Sequence, residues 1–251
     1  MADTRRQGRG YLIDGQSVMS VTAILSKGLP KPALIDWAAR TVAEYVADNW
    51  TRLQTLDPTE VRDLAKGAPN RDRDKAANRG TEVHRLARAL AHDEEVQVPE
   101  ELAGHVESAL RFLDEWQPRD EITEVPVFSR KHRYAGTLDM ICTLPDLGRT
   151  LVDYKTNRSG PFGEVGLQLA AYGHADVMRI DDVELPMPAI DSYVSVWLRA
   201  DGYDVYPYEV TDATFRTFLY CQQVAWWLTN VERGVKGRAI PPPSIPSEVS
   251  A

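Results

Sequence analysis

Cysteine is scarce in this chain of 251 residues, which contains only Cys142 and Cys221. Two thiols are too few for a four-ligand zinc or iron–sulfur site, and also too few for the disulfide scaffold of a secreted protein. We therefore expect reduced, buried cysteines and no iron–sulfur cluster.

Long apolar runs are missing as well. No stretch of the sequence approaches the roughly 18 consecutive apolar residues that a membrane-spanning helix needs. The apolar stretch near the N-terminus is interrupted by Asp14 before it could act as a signal peptide. A Gly-x-x-x-x-Gly-Lys-Ser/Thr loop is absent too, so the sequence carries no helicase motor of that kind. These absences predict a cytoplasmic protein with no membrane partner.

Positive charge is in the minority, since 29 Lys and Arg face 37 Asp and Glu and the net charge is −8. An acidic total argues against a polyanionic partner. The basic residues are nevertheless concentrated, because the segments 71–88 and 129–158 each carry six basic residues against three acidic ones. This distribution fits a groove that follows phosphates, and it fits a solvated surface face equally well.

The periodicity of apolar residues predicts one α/β (α+β) domain over 11–238, with a flexible basic arm over 1–10 and a flexible Pro-rich tail over 239–251. Within this domain, a mainly helical part over 11–118 precedes the sheet over 119–238. Helices are predicted over 34–50, 72–92, 100–116, 164–178 and 212–233. A central mixed sheet of about five strands is predicted from the runs at 121–128, 133–143, 150–156, 192–199 and 203–210.

Asp153 and Lys155 lie two residues apart in the third predicted strand. The strand period of two places them on one face, with Val152 and Tyr154 on the other. An exposed ion pair also fits this spacing. The Gly-containing loop that follows favours a functional strand end, because such loops often carry binding and catalytic groups.

Asp139 stands in a mostly apolar run on the neighbouring strand, and a buried carboxylate needs a partner. If Asp139 and Asp153 lie about 4 Å apart, their repulsion is about 4 kcal/mol at an effective dielectric of 20. A divalent cation such as Mg²⁺ removes that penalty and can activate water for attack on phosphate. With Lys155 neutralising the charge that develops, the residues predict phosphodiester hydrolysis.

Gly80 lies inside a predicted helix, where a glycine lowers helix stability by about 1 kcal/mol relative to alanine. Its presence there therefore calls for a structural reason. A close approach of this helix to the sheet would bring His84, one turn later, to the metal. An imidazole ligand shifts the preference toward Mn²⁺. A histidine at the boundary of the core fits the position as well.

Gln168 and Tyr172 share a helical face with Glu164 and could meet Lys155 or a phosphate. A half-buried tyrosine beside a surface glutamine is an equally good interpretation. Glu124, alone among apolar neighbours on the first strand, is a weaker candidate for the outer shell of the metal.

Four segments together resemble the ordered motifs of the PD-(D/E)xK nuclease superfamily. They are Gly80–His84, Gly136–Asp139, Val152–Thr156 and Gln168–Tyr172. The resemblance is to the RecB-type branch, which includes the CRISPR-associated exonucleases and their phage relatives and is related to lambda exonuclease. It covers about residues 80–172, and the sequence departs from the CRISPR-associated branch by lacking its cluster-binding cysteines.

The resemblance implies a restriction-endonuclease-like core and a DNA exonuclease that requires Mg²⁺ or Mn²⁺. By resemblance, His84, Asp139, Asp153 and the backbone carbonyl of Tyr154 bind one or two metal ions. The catalytic set comprises Asp139, Asp153, Lys155, Gln168 and Tyr172. DNA contacts are expected from the basic residues nearest these motifs, namely Arg79, Arg85, Arg130, Lys131, Arg133 and Arg158.

The expected setting is DNA recombination, DNA repair or phage DNA processing, with a phage or host recombination protein as a further partner. A homo-oligomer remains open. Two alternatives use the same residues differently: a site-specific endonuclease of the same superfamily, and an inactive nucleic-acid-binding module for recombination. Chance motifs on an unrelated α/β protein are a third alternative.

Overall fold

The computed structural model describes residues 4–8, 10–91 and 94–240, which form ten strands and eight helices. The strands are β1 (Thr4–Gln7), β2 (Gly10–Ile13), β3 (Gln16–Ser20), β4 (Arg119–Ser129), β5 (Tyr134–Leu144), β6 (Gly148–Lys155), β7 (Val177–Ile180), β8 (Val183–Pro186), β9 (Ser192–Arg199) and β10 (Gly202–Pro207). The helices are α1 (Val21–Gly28), α2 (Pro32–Asp48), α3 (Trp50–Leu53), α4 (Pro58–Ala91), α5 (Glu100–Trp116), α6 (Glu164–Gly173), α7 (Asp212–Asn230) and α8 (Glu232–Val235).

All ten strands join one mixed sheet, so the fold is α/β as predicted. Its long path runs β10-β9-β6-β5-β4-β7-β8, and β3 pairs beside the first residues of β5 and continues into β2 and β1. Neighbours are antiparallel except for the pairs β6–β9 and β3–β5. The expectation of about five strands is too low. The five predicted strands correspond to β4, β5, β6, β9 and β10, and the sequence reading missed the other five.

Helices cover both faces of the sheet because each face is apolar. On one face, α1, α6 and α7 pack through residues such as Ile24, Leu169 and Phe218 against Ile141 and Leu151. On the other face, the second half of α4 and helix α5 pack against strands β5, β6 and β9. The first half of β5 and the C-terminal end of β6 line one cleft together with residues of α4 and α6. No helix in the described part of the chain is both long and apolar enough to cross a membrane.

Helix boundaries follow ordinary capping chemistry. Helix α1 begins after Ser20, whose hydroxyl accepts a hydrogen bond from the amide of Ala23 at 3.1 Å. Helix α7 begins after Thr211, which forms a reciprocal capping box with Thr214. Helix α4 is longer than the predicted 72–92 segment, because it starts at Pro58 and continues through Pro69.

Part of the N-terminal arm that the sequence predicts as flexible over 1–10 belongs to the sheet, because residues 4–7 form strand β1. Strand β1 pairs with β2 along its whole length. Thr4 is fully buried, and its amide donates to Glu184 Oε1 on β8 at 3.1 Å. Of the Pro-rich tail predicted over 239–251, residues 241–251 lie outside the described part of the chain.

Candidate metal centre and cleft

A cleft of about 830 Å³ opens between α4 and α6, over the sheet at β4, β5 and β6. The start of α1, the strands β1 and β2, and the loop after β6 complete its walls. The cleft contains His84, Asp139, Asp153, Lys155, Gln168 and Tyr172. All four motif segments of the sequence therefore contribute side chains to one concave surface.

Asp153, Lys155 and Gln168 form a closed group on one wall. Lys155 Nζ lies 2.5 Å from Asp153 Oδ2, while the Gln168 amide donates to Asp153 Oδ1 at 2.8 Å. Lys155 Nζ also donates to Gln168 Oε1 at 3.4 Å. Val152 and Tyr154 pack into the core beneath α5, on the opposite face. The predicted sharing of one face by Asp153 and Lys155 is confirmed.

Tyr172 joins this group through Gln168, whose amide donates to the tyrosine hydroxyl at 3.3 Å. The ring of Tyr172 is 3% exposed and lies over Gly136. A Cβ atom at position 136 would stand 2.5 Å from Tyr172 Cε1, which is closer than carbon atoms can approach. Gly136 is therefore required for the tyrosine to reach the site.

Replacing Gly136 by alanine is expected to lower the free energy of unfolding by about 1–3 kcal/mol, because the added methyl group overpacks a buried contact. Urea unfolding measures this change. The matched control is Gly234→Ala, since a Cβ atom at that helical position meets no atom within 4 Å. Equal stability of the two variants would contradict the close packing of Tyr172 on Gly136.

Three potential metal ligands converge beside this group. His84, Glu124 and Asp139 each offer a ligand atom, and these atoms all lie within 4.8 Å of one another. Strands β4 and β5 pair Thr123 with Met140 and Val125 with Leu138, which sets Glu124 opposite Asp139. The geometry is that of a site with one imidazole and two carboxylates.

The regular alternation of strand β5 breaks at Asp139. Leu138 packs into the core beneath α6 and α7, whereas Met140, two residues later, packs into the core beneath α5. The partner residue Glu124 has a left-handed backbone with φ 55°, a conformation that is uncommon for a residue other than glycine. The two irregular positions lie opposite each other, and both carboxylates face the cleft.

Asp139 also links the three-residue cluster to Asp153. Its Oδ2 accepts a hydrogen bond from the amide of Tyr154 at 2.8 Å. The pairing of Met140 with Val152 makes Asp139 and Asp153 the next positions in the same antiparallel register. The cleft therefore contains a continuous row of acidic groups on adjacent strands.

The cluster differs from the predicted ligand set at two side chains. Glu124, expected only in the outer shell, belongs to the converging group, and Asp153, expected as a ligand, does not. Asp153 Oδ1 accepts from Gln168, whereas Oδ2 lies 2.5 Å from Lys155 Nζ and is buried with no hydrogen-bond partner among the described residues, so Asp153 stays a predicted ligand. The backbone carbonyl of Tyr154 stays a predicted ligand that no contact tests.

Burial raises the pKa of the carboxyl groups in the cleft and lowers the pKa of His84, so it favours the neutral form of each. The pKa of Asp153 is raised to about 6, mainly by burial, with Lys155 opposing the shift and Asp139 adding to it. Burial likewise raises the pKa of Asp139, and the pKa of Glu124 rises through partial burial and through Asp139. Burial lowers the pKa of His84 to about 4, so the imidazole is neutral near pH 7.

These properties fit a divalent cation. His84 Nε2 is buried and has no hydrogen-bond partner among the described residues, and a neutral imidazole is the form that binds metals. The carboxylates of Glu124 and Asp139 supply the oxygen ligands that Mg²⁺ and Mn²⁺ prefer. Positive charge at this point would offset the repulsion between the two adjacent carboxylates.

Gly80 brings His84 to the site as the sequence predicts. A Cβ atom at position 80 would lie 3.1 Å from Thr156 Oγ1, just beyond the end of β6. Arg79 secures the same contact by donating to the carbonyl of Thr156 at 3.3 Å. Helix α4 therefore packs directly on the end of the strand that carries Asp153 and Lys155.

None of the six basic residues expected to contact DNA is among the residues that line the cleft. Arg79 joins α4 to the segment after β6, and Arg158 is exposed in the loop after β6. The other four are Arg85, Arg130, Lys131 and Arg133. Arg85 pairs with Glu82 at 2.6 Å, Arg130 pairs with Glu184, and Arg133 lies 3.6 Å from Asp14.

Two arginines that sequence reasoning did not select line the cleft instead. Arg73 belongs to α4, and Arg6 belongs to β1. The concentration of basic residues over 71–88 could have pointed to Arg73. No sequence pattern pointed to Arg6, because its position in the cleft depends on the pairing of β1 within the sheet.

No protein-family model and no curated protein matches this chain. Among solved structures, it is similar to one described as the crystal structure of SSO0001, with 16% sequence identity and a TM-score of 0.33. The matched region covers 62% of this chain and 72% of that chain. A likeness at this score carries no argument about fold family or activity.

Proposed function

We propose that this chain is a divalent-metal-dependent DNA exonuclease of the PD-(D/E)xK type, with a RecB-like arrangement of motifs around a restriction-endonuclease-like core. One observation carries the proposal: the cluster of His84, Glu124 and Asp139 lies in the same cleft as the Asp153–Lys155 pair. A metal centre beside a fixed ammonium group is suited to hydrolysis of a phosphodiester.

His84, Glu124 and Asp139 would hold Mg²⁺ or Mn²⁺ in this proposal. When bound, the cation would polarise a phosphate oxygen and lower the pKa of water near the scissile bond. Asp153 would support the site by holding Lys155 at 2.5 Å, together with Gln168.

Lys155 acts as a cation rather than as a base. Burial tends to lower its pKa, but Asp153 and Asp139 outweigh that effect, and the net shift is upward. The amine therefore stays protonated at neutral pH and can neutralise negative charge developing on the phosphate. Gln168, which contacts both Asp153 and Lys155, positions the amine.

Action at the end of a DNA strand is our first choice because the four motifs resemble those of RecB-type exonucleases, and action within a strand is the alternative. Work on DNA ends suits recombination, repair or phage DNA processing.

The decisive experiment compares linear, circular and end-blocked DNA, with each strand labelled, in Mg²⁺, in Mn²⁺ and in EDTA. We expect linear DNA to be degraded from its ends only when a divalent metal is present, and circular DNA to stay intact. Cutting of circular DNA would favour the endonuclease alternative. No cleavage of any substrate in either metal would contradict the proposal.

A further inference from the structure

Phe162 differs from the other aromatic side chains of the cleft because it is 56% exposed while its backbone carbonyl is hydrogen-bonded. It lies in the loop 157–163, between β6 and α6. Its carbonyl accepts two hydrogen bonds, from the amide of Val165 at 3.0 Å and from the hydroxyl of Tyr208 at 3.0 Å. The ring is thus presented to the cleft from a fixed point.

The rest of the loop is fixed by equally specific contacts. The indole of Trp197 donates to the carbonyl of Asn157 at 2.7 Å, and the Asn157 amide donates to the carbonyl of Gly160 at 2.5 Å. Gly160 has φ 78°, in the left-handed region that favours glycine, and it packs over the Trp197 ring. A loop ordered in this way holds an exposed ring at little further entropic cost on binding.

Charged groups of both signs surround the ring. Arg6, Arg73 and Lys155 line the same cleft as the carboxylates Glu124, Asp139, Asp153 and Glu164. With a divalent cation offsetting the carboxylates, the arginine and lysine side chains can follow a sugar-phosphate backbone. An aromatic face beside such a groove is the usual platform for an unpaired base, because every base has a π-face that can stack.

We propose that Phe162 forms a base-stacking subsite for an unpaired nucleobase of the DNA strand that enters the cleft. The inference rests on the proposed function for the identity of the polymer. It adds a position that favours an unpaired base over a base inside a duplex, because an internal base is stacked on both faces and cannot meet the ring. Burial of the ring against the base would remove apolar surface from water.

The test uses single-stranded oligodeoxynucleotides that carry 2-aminopurine at one end. Ca²⁺ replaces Mg²⁺ or Mn²⁺, under conditions in which no cleavage is observed, so that a divalent cation offsets the carboxylates of the cleft while the strand stays intact. Stacking quenches the fluorescence of 2-aminopurine. We expect the wild-type chain to quench it, and Phe162→Ala to bind about 5- to 150-fold more weakly, which corresponds to the range for one stacked base. Phe162→Trp should keep the binding, and Phe162→Leu, the matched apolar control, should lose most of it.

An abasic end removes the partner of the ring, so the wild-type chain and Phe162→Ala should bind that substrate equally. The inference is overturned if Phe162→Leu binds like the wild type, if the abasic substrate still distinguishes the variants, or if RNA shows the larger dependence on Phe162. If DNA is cleaved in a metal-dependent way but the Phe162 variants bind it like the wild type, the subsite is contradicted and the nuclease proposal stands. If binding depends on Phe162 but no DNA is cleaved in Mg²⁺ or Mn²⁺, only the nuclease proposal is contradicted. If the chain binds no DNA, both are contradicted.

Discussion

Replacing Lys155 by alanine is expected to slow metal-dependent DNA cleavage by about 10²–10³-fold, the usual effect of removing one group that stabilises charge in a transition state. The ammonium group is 2.5 Å from Asp153 and hydrogen-bonded to Gln168, so its position is fixed before substrate arrives. Single-turnover cleavage of a labelled linear DNA at saturating Mg²⁺ measures the chemical step without product release.

The matched control is Lys27→Ala, because Lys27 is exposed in the last turn of α1 and belongs to no part of the cleft. Its cleavage rate should equal that of the wild type. Urea unfolding of Lys155→Ala should accompany the kinetics, since the variant leaves Asp153 with one partner fewer. A folded Lys155→Ala protein within a factor of about ten of the wild-type rate would contradict the role assigned to the amine.

Glu124→Gln is expected to weaken the binding of Mg²⁺ or Mn²⁺ by at least about 10- to 100-fold, the loss typical of removing even an outer partner of a metal. In EDTA, the free energy of unfolding of the same variant should be higher than that of the wild type. The reason is that it removes a carboxylate whose pKa is raised by partial burial and by Asp139. Calorimetric titration with metal and urea unfolding, with and without metal, measure the two effects.

Weaker metal binding together with a higher free energy of unfolding in EDTA is expected of a metal ligand. A glutamate that only supports the fold would lower the free energy of unfolding when it is replaced. Metal should stabilise the wild-type chain in proportion to the logarithm of its concentration, and the variant much less. Glu107→Gln, on the exposed face of α5, serves as the control and should change neither quantity. If Glu124→Gln binds metal as tightly as the wild type, the cluster of His84, Glu124 and Asp139 is not the metal site.

Periodicity was sufficient to predict the strand that carries Asp153 and Lys155, because alternation along a regular strand determines which face a side chain takes. It also located the hairpin of β9 and β10, which begins and ends within three residues of the predicted runs. The helical glycine Gly80 predicted a close approach to the sheet, and Thr156 lies at that contact. These features depend on neighbours along the chain or on a single unusual residue.

The role of Glu124 could not be predicted in this way. Its side chain reaches His84 and Asp139 because alternation breaks where β4 and β5 pair, and a broken alternation leaves no periodic signal. The position of Arg6 depends on the pairing of β1 with β2. The position of the short strands β7 and β8 depends on the pairing of β7 with β4. Such pairings are properties of the assembled sheet, which local propensity does not specify.

The left-handed backbone at Glu124 has a consequence for engineering. Asparagine and glycine adopt φ near 55° with less strain than glutamate, and replacing the glutamate would also relieve repulsion from Asp139. A search for thermostable variants would therefore favour changes that remove one residue of the proposed metal site. Libraries selected for heat resistance alone should lose the glutamate at this position, so any such screen needs a parallel metal-binding assay.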